Sequence, residues 1–227
     1  MTRFIAVEAA IQKLKFRPNL SARGLRSGST HTIGVLTQEL ESPYFANAAK
    51  GVDQALTGSG YAPIVVPGHW NPEEEIERVA LLTARKVDGL IVLGGRMSDA
   101  QIAELAQQQP VAVIGRRMSA PGVISFYQDQ VEGGRLATEH LIQLGHRRIA
   151  HIAGPANQVD AQERKEGFML AHRQAGLSVD PALIVEGDFM EGGGITAMET
   201  LLASGHDFTA VFCANDQSLW GAKLVLH

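Results

Sequence analysis

From residue 32 onward, short apolar runs alternate with stretches of helical periodicity, and no other feature of this 227-residue chain limits its fold as strongly. Apolar runs at 33–36, 63–66, 89–93, 111–114, 148–152, 183–185 and 210–212 read as strands. Between them, 44–57, 73–86, 99–108, 131–144, 160–175, 192–204 and 216–226 read as helices. Strands joined by helices run parallel, and right-handed crossovers set the helices on both faces of the sheet. The strands are continuous in Val, Ile and Leu, as expected of a sheet covered on both sides. The expected fold class is α/β.

The alternation breaks once. Between Ile114 and Val131, Gly115, Pro121 and Gly122 interrupt the helical pattern, and Val123–Phe126 reads as an extra extended piece. Asp129 then caps a new helix. A division between two lobes is therefore expected near residue 128, giving lobes at 29–128 and 129–227.

Residues 1–28 differ from the rest. Phe4, Val7, Ala10, Ile11 and Leu14 form a helical stripe that Pro18 ends. Asn19 or Ser21 can cap a second short helix running through Leu25. This segment holds six basic residues against one acidic, a net +5 in a chain whose net charge is −4, so the remainder carries −9. A basic arm on an acidic body suits a polyanion contact at one end. A solvated, charged helix end fits the charge alone equally well.

Composition narrows the class. The single cysteine, Cys213, excludes an internal disulfide and fits a reducing compartment. No apolar run approaches the roughly 18–20 residues of a membrane span, and residues 1–14 lack the pattern of a secretory signal. The expected location is cytoplasmic.

Signals for enzymes are weak. The chain has no phosphate-binding glycine loop after a strand and no nucleophile elbow. Gly192-Gly193-Gly194 reads as a loose first turn of a helix. His140, His146 and His151 lack the carboxylate and spacing of a zinc site, and His151 reads as a packed or edge strand residue. Asp129, Asp160 and Asp216 each precede an expected helix, where capping alone explains them. No catalytic residue, metal or cofactor is expected.

Signals for a ligand are better. In open α/β sheets, ligands bind outside the carboxyl ends of the strands. Ser42, Pro43, Tyr44 and Phe45 follow the first strand. A loop after Ala153 leads to Gln162, Glu163 and Arg164, while Gly187, Asp188 and Phe189 follow Val185, and Ala214, Asn215 and Asp216 follow Phe212. Aromatic rings can stack on the C–H face of a sugar, and Arg, Asn and Asp can satisfy its hydroxyls. Core packing of Phe45 and Phe189, and capping by Asp216, are the plainer alternatives.

These pieces, in order, resemble the lactose-repressor/galactose-repressor (LacI/GalR) family of bacterial transcription regulators. The resemblance rests on Gly34-Val35 with Ser42-Pro43-Tyr44-Phe45, on Val87-Asp88-Gly89-Leu90-Ile91, on Leu144-Gly145-His146-Arg147-Arg148-Ile149-Ala150, on Ala153-Gly154-Pro155, on Glu186-Gly187-Asp188-Phe189 and on Ala214-Asn215-Asp216. It implies two Rossmann-like lobes, as in periplasmic binding proteins, with a sugar-like effector in the cleft between them and operator DNA as partner of a homodimer. It implies effector contacts at Tyr44, Phe45, Arg164, Phe189, Asn215 and Asp216. Contacts of that kind can bias open and closed lobe arrangements.

The basic arm resembles the family's hinge helix. That likeness makes Leu25 an apolar wedge between base steps in the minor groove, with Asn19, Ala22, Arg23 and Arg26 at the DNA. Gly24 weakens the helix by about 0.5–1 kcal/mol relative to Ala, which suits a segment that folds on DNA. The family's recognition helix lies before its third helix, and the chain begins near what looks like that third helix, Thr2 to Phe16. DNA binding by this chain is then expected to be mostly electrostatic, weakened or lost. The family also continues past Leu226 with a further strand, so each lobe is expected to leave a sheet edge open. Gly115 stands where many members carry an Asp. The alternative within the same architecture is a solute-binding protein for sugar uptake; an enzyme on a doubly wound sheet ranks third.

Overall fold

A computed structural model of the chain describes residues 28–226 continuously, together with residues 7, 10, 11 and 13–15. Residues 7, 10, 11, 13 and 14 are helical, in line with the stripe around Val7 to Leu14. The hinge residues Asn19, Ala22, Arg23, Leu25 and Arg26 lie outside the described residues.

The remaining elements alternate as the sequence pattern requires. They are β1 (Thr32–Thr37), α1 (Pro43–Leu56), β2 (Ala62–Pro67), α2 (Pro72–Ala84), β3 (Gly89–Leu93), α3 (Asp99–Ala106), β4 (Val111–Ile114) and β5 (Val123–Phe126), followed by α4 (Gln130–Gln143), β6 (Ile149–Ala153), α5 (Val159–Gln174), a 3₁₀ turn (Pro181–Leu183), β7 (Ile184–Glu186), α6 (Glu191–Ala203), β8 (Ala210–Cys213) and α7 (Asp216–Val225). Five helices, α1, α2, α4, α5 and α6, begin one residue earlier than the apolar spacing indicates. At α1 and α2 the reason is Pro43 and Pro72. Proline is tolerated at the first helical position because its missing N–H has no partner there anyway.

The chain divides into two compact units, residues 1–127 and 128–227. Unit 1 holds a five-stranded sheet in the order β2-β1-β3-β4-β5, parallel throughout. Alternate residues of its strands feed two cores. Leu36, Leu90, Val92, Val111 and Val113 pack with Val79 and Leu82 of α2 and Ile102 of α3. Val35 and Leu93 pack on the other face with Phe45 of α1. Each such fully buried side chain contributes about 1.5–3 kcal/mol relative to exposure. At the far edge, Ile124 and Phe126 of β5 are more than half exposed.

Unit 2 holds a three-stranded parallel sheet in the order β7-β6-β8. Its first strand sits between the second and the third, as β1 does in unit 1. Ala150 and Ile152 face Ala197, Met198 and Leu201 of α6 and Ala222 of α7. His151 points to the opposite face, where it stacks against the rings of Phe168 and Phe212 at centroid distances of 5.0 and 4.8 Å, in a cluster of three rings. It is fully buried on the central strand, so it is packed and is not an edge residue. Burial holds its imidazole at a pKa of about 4, against the support of a hydrogen bond between Nδ1 and the Phe212 carbonyl.

Three capping expectations resolve differently. Asp129 accepts from the N–H of Glu132 and caps α4 as expected. Asp160 lies inside α5, and Asp216 is the first residue of α7, whose cap is Asn215. Gly192-Gly193-Gly194 is not a loose turn either. A Cβ on Gly194 would collide with the Ser218 carbonyl of α7, and one on Gly193 with the Asp188 carboxylate.

One carboxylate ties the residues that lead into β1 to the sheet. Asp88, just before β3, accepts from the hydroxyl of Ser29, the N–H and hydroxyl of Thr30 and the N–H of His31. Burial opposes its charge, but these donors outweigh that and hold the carboxyl below its usual pKa. The junction sits at the amino ends of the strands, opposite the rim where loops follow their carboxyl ends. Among the described residues, no helix is long and apolar enough to cross a membrane.

Candidate ligand sites at the strand ends

The order β7-β6-β8 places a topological switch point between β6 and β8 in unit 2. Ligands of open α/β sheets bind at the carboxyl side of such points. Arg164 of α5 reaches this place. Its Nη1 donates to the carbonyl of Ala214, at the end of β8 (2.6 Å), and its Nε donates to Oε1 of Gln130 at the start of α4 (2.9 Å). Asp160 lies one turn back, 3.6 Å from Nη2. A cation half-shielded from water and fixed by three partners has lost most of its rotamer freedom before any ligand arrives.

Phe189 and Asn215 complete the group. The Arg164 guanidinium carbon stands 5.6 Å from the Phe189 ring centroid, within cation–π range. Phe189 holds a left-handed backbone, φ +67°, unusual for an aromatic residue. Asn215 restrains that conformation: its Nδ2 donates to the Phe189 carbonyl (2.8 Å), while its Oδ1 accepts from the N–H of Ser218 and caps α7. Three of the six expected effector residues thus form one connected group. Asp216 is exposed beside it.

Unit 1 has its own rim at the β1/β3 switch point. Tyr44 is exposed there, whereas Phe45 is 7% exposed and packs in the core, so only Tyr44 of the pair presents its ring freely. The Phe45 ring lies edge-on to Tyr44 at 5.1 Å and to Trp70 at 5.7 Å.

Beneath these rings lies a buried polar layer that motif reasoning missed. Glu75 of α2 is fully buried, and its carboxylate accepts from the N–H groups of Arg96 and Met97 in the loop after β3. Burial raises its pKa despite those two donors. From the other side, Arg116 donates to the carbonyls of Gly95 and Met97. One loop backbone is therefore clamped between a carboxylate and a guanidinium. Gln38, also fully buried, accepts from the N–H of Trp70 (2.8 Å). Glu75 follows Glu73 and Glu74, a run that reads as a solvated helix start, so nothing in the local pattern singles it out. Trp70 was findable, because it lies in the short loop after the second strand.

Among the described residues no group of three or more His, Cys, Asp or Glu could hold a metal ion. Burial pushes the Cys213 thiol up to about 11, far from a reactive thiolate.

Residues 30–227 match the family described as periplasmic binding proteins and the sugar-binding domain of the LacI family. The transcriptional regulator GalR of Escherichia coli K12 is 33% identical over 225 residues, which are 98% of this chain and 65% of that protein. The repressor PurR of Haemophilus influenzae is 32% identical over 228 residues, covering 97% of this chain and 68% of its own length. The chain belongs to the LacI family. Its membership accounts for the strand-end signatures recognised in the sequence.

Solved structures of LacI-family regulators agree. A sugar-binding regulator from Escherichia coli complexed with phosphate superposes with a TM-score of 0.75 at 25% identity, covering 88% of this chain and 73% of that one. The regulator CelR in complex with cellobiose gives 0.75 at 32% identity, covering 97% and 67%. These relatives are transcription regulators, neither enzymes nor uptake proteins, so the solute-binding alternative is not favoured. The chain spans 65% of the length of GalR.

Proposed function

We propose that this chain is the sensing part of a LacI-family transcription regulator that takes a small polar effector, a sugar or sugar derivative, at the carboxyl ends of its strands. The observation that carries this reading is the Arg164–Phe189–Asn215 group. It joins a restrained guanidinium, an aromatic face and an amide at one strand-end rim. Those are the parts needed to hold a hydroxylated ring by its edge and face. Tyr44 offers a second ring from unit 1, and Asp216 an acceptor from unit 2. Phe45 acts from beneath, by setting the Tyr44 ring.

The basic residues of the arm, net +5 over residues 1–28, serve the DNA. Leu25 acts as a minor-groove wedge, with Asn19, Ala22, Arg23 and Arg26 at the backbone and groove. Effector binding changes operator affinity by favouring one arrangement of a homodimer in the cytoplasm. Such an arm binds mainly through phosphates, so affinity falls steeply as salt rises.

The test is a thermal-shift screen against sugars, sugar acids, phosphosugars and purines. A ligand that binds only the folded chain raises its melting temperature by mass action. The expected result is a hit abolished by Arg164→Ala and weakened by Asn215→Ala. A hit indifferent to both variants puts the effector elsewhere.

A further inference from the structure

Trp70 belongs to no signature recognised in the sequence, yet much of unit 1 is arranged to hold it. His69 and Trp70 are consecutive non-glycine residues in the left-handed region, at φ 53° and 55°. Each such residue costs of order 1–3 kcal/mol and persists only when its surroundings enforce it. The enforcing group is Gln38. Its backbone carbonyl accepts from the N–H of His69 (3.3 Å), and its side-chain Oε1 accepts from the N–H of Trp70 (2.8 Å). Gln38 is itself fully buried beside Glu75, the residue that fixes the loop after β3. In that loop Gly94 leaves room for the indole: a Cβ there would sit 3.3 Å from Cη2 of Trp70.

These contacts set the indole at the carboxyl end of β2, edge-to-face with Phe45, which in turn meets Tyr44. Phe45 is buried; Tyr44 and Trp70 are not. An exposed ring, Tyr44, and a half-buried one, Trp70, therefore flank one buried ring. A core tryptophan needs no left-handed backbone and no buried glutamine to present it. Strain of this kind gathers where a side chain must face a ligand.

We propose that Trp70 is a ligand-contacting aromatic platform that sets effector size, selecting a ligand with a second ring beyond the one met by Tyr44. This rests on the sensor function proposed above. The chemical class is a two-ring polar molecule, each ring with a flat or C–H-rich face and hydroxyls at its edge, as in a disaccharide or a nucleoside. Galactose or ribose alone leaves the indole uncovered.

Trp70 and Trp220 are the only tryptophans of the chain. Trp220 is 58% exposed on α7, so Trp220→Phe leaves Trp70 as a single reporter in the full chain. Galactose and ribose are compared with cellobiose, lactose and guanosine by melting temperature, calorimetric affinity and tryptophan emission. The expected result is that a two-ring ligand shifts Trp70 emission and binds more tightly than either single ring. Trp70→Leu then weakens that ligand about tenfold, the scale of one lost aromatic contact, and Trp70→Phe keeps most of the affinity. A ligand that needs Arg164 but leaves both Trp70 emission and Trp70→Leu affinity unchanged overturns this inference and spares the sensor function. Tighter binding of a single ring does the same. A panel without a single hit overturns both.

Discussion

Unit 1 and unit 2 begin from the same strand order and solve the core problem differently. The five strands of unit 1 carry two apolar faces, and its helices pack chiefly onto the sheet. With only three strands, unit 2 has less sheet to cover, and its helices pack in pairs, α4 on α5 and α6 on α7. Both pairs meet at glycines. A Cβ on Gly167 of α5 would strike the Val131 carbonyl of α4, and one on Gly134 the Arg164 backbone. Gly194 of α6 and Gly221 of α7 stand against each other's helix in the same way. A narrow sheet is thus completed by backbones brought into contact, where a wide sheet relies on side-chain volume. The first pair also sets the site, because Gly134 and Gly167 bring α4 close enough for Gln130 to meet Arg164.

This difference yields its sharpest test at Gly167. Gly167→Val forces α4 and α5 apart, and overpacking against backbone that cannot yield is expected to cost about 3 kcal/mol or more. Denaturant unfolding followed by circular dichroism measures it. A loss below about 1 kcal/mol would mean that the helix pair tolerates separation and that the contrast between the units is superficial.

The buried polar groups differ as well, and pH separates them. In unit 2, His151 has a folded-state pKa of about 4 against an ordinary 6.5. The unfolded chain therefore binds a proton that the folded chain refuses between those values. The associated stability is complete above pH 6.5 and is lost as pH falls toward 4, by at most about 3 kcal/mol. His151→Phe keeps a ring against Phe168 and Phe212 and removes the proton site. Melting curves from pH 7 to 4 should fall less steeply for the variant than for the native chain; parallel curves would remove His151 as the cause.

The sequence was most legible where physics is local and periodic. Strand and helix positions followed from apolar spacing, and the break near residue 128 followed from Pro121, Gly122 and the capping Asp129. The unit 2 group was legible because Phe189 and Asn215 follow strand ends in family signatures, and the loop after β6 leads to Arg164. What stayed hidden depends on contacts between distant segments. Nothing near Glu75 announces that two backbone N–H groups about twenty residues away will bury it. Likewise the glycines at 192–194 looked like a weak helix start, because their reason is the approach of α7. Phe45 and Tyr44 are neighbours in sequence with opposite fates, since the turn into α1 sends one ring inward and the other out.

The junction at Asp88 extends the comparison to the residues that lead into β1. Four hydrogen bonds from residues 29–31 converge on this carboxylate in unit 1. Asp88→Ala is expected to cost about 1–2 kcal/mol of stability, the scale of a lost charged cap in a half-exposed setting. It is also expected to loosen residues 29–31, which donate those bonds. Limited proteolysis near residues 29–31 should therefore quicken in the variant at temperatures where the core stays folded. Unchanged cleavage would show that these residues are held by something other than this carboxylate.

The smallest expected effect has the opposite sign and returns to glycine. Gly51 lies in the middle of α1 in unit 1, exposed, with nothing within 4 Å of the position a Cβ would take. No helix presses against it, so only its backbone entropy counts. Gly51→Ala should stabilise the chain by about 0.5–1 kcal/mol, because alanine loses less freedom on entering a helix. Gly167→Ala makes the identical chemical change on the buried face of α5 and should destabilise. Measured side by side in urea, the two variants isolate the role of the neighbouring backbone from that of helix propensity. Equal and favourable shifts would show that α5 can rotate away from α4, and that glycine is not what holds the Arg164 helix in place.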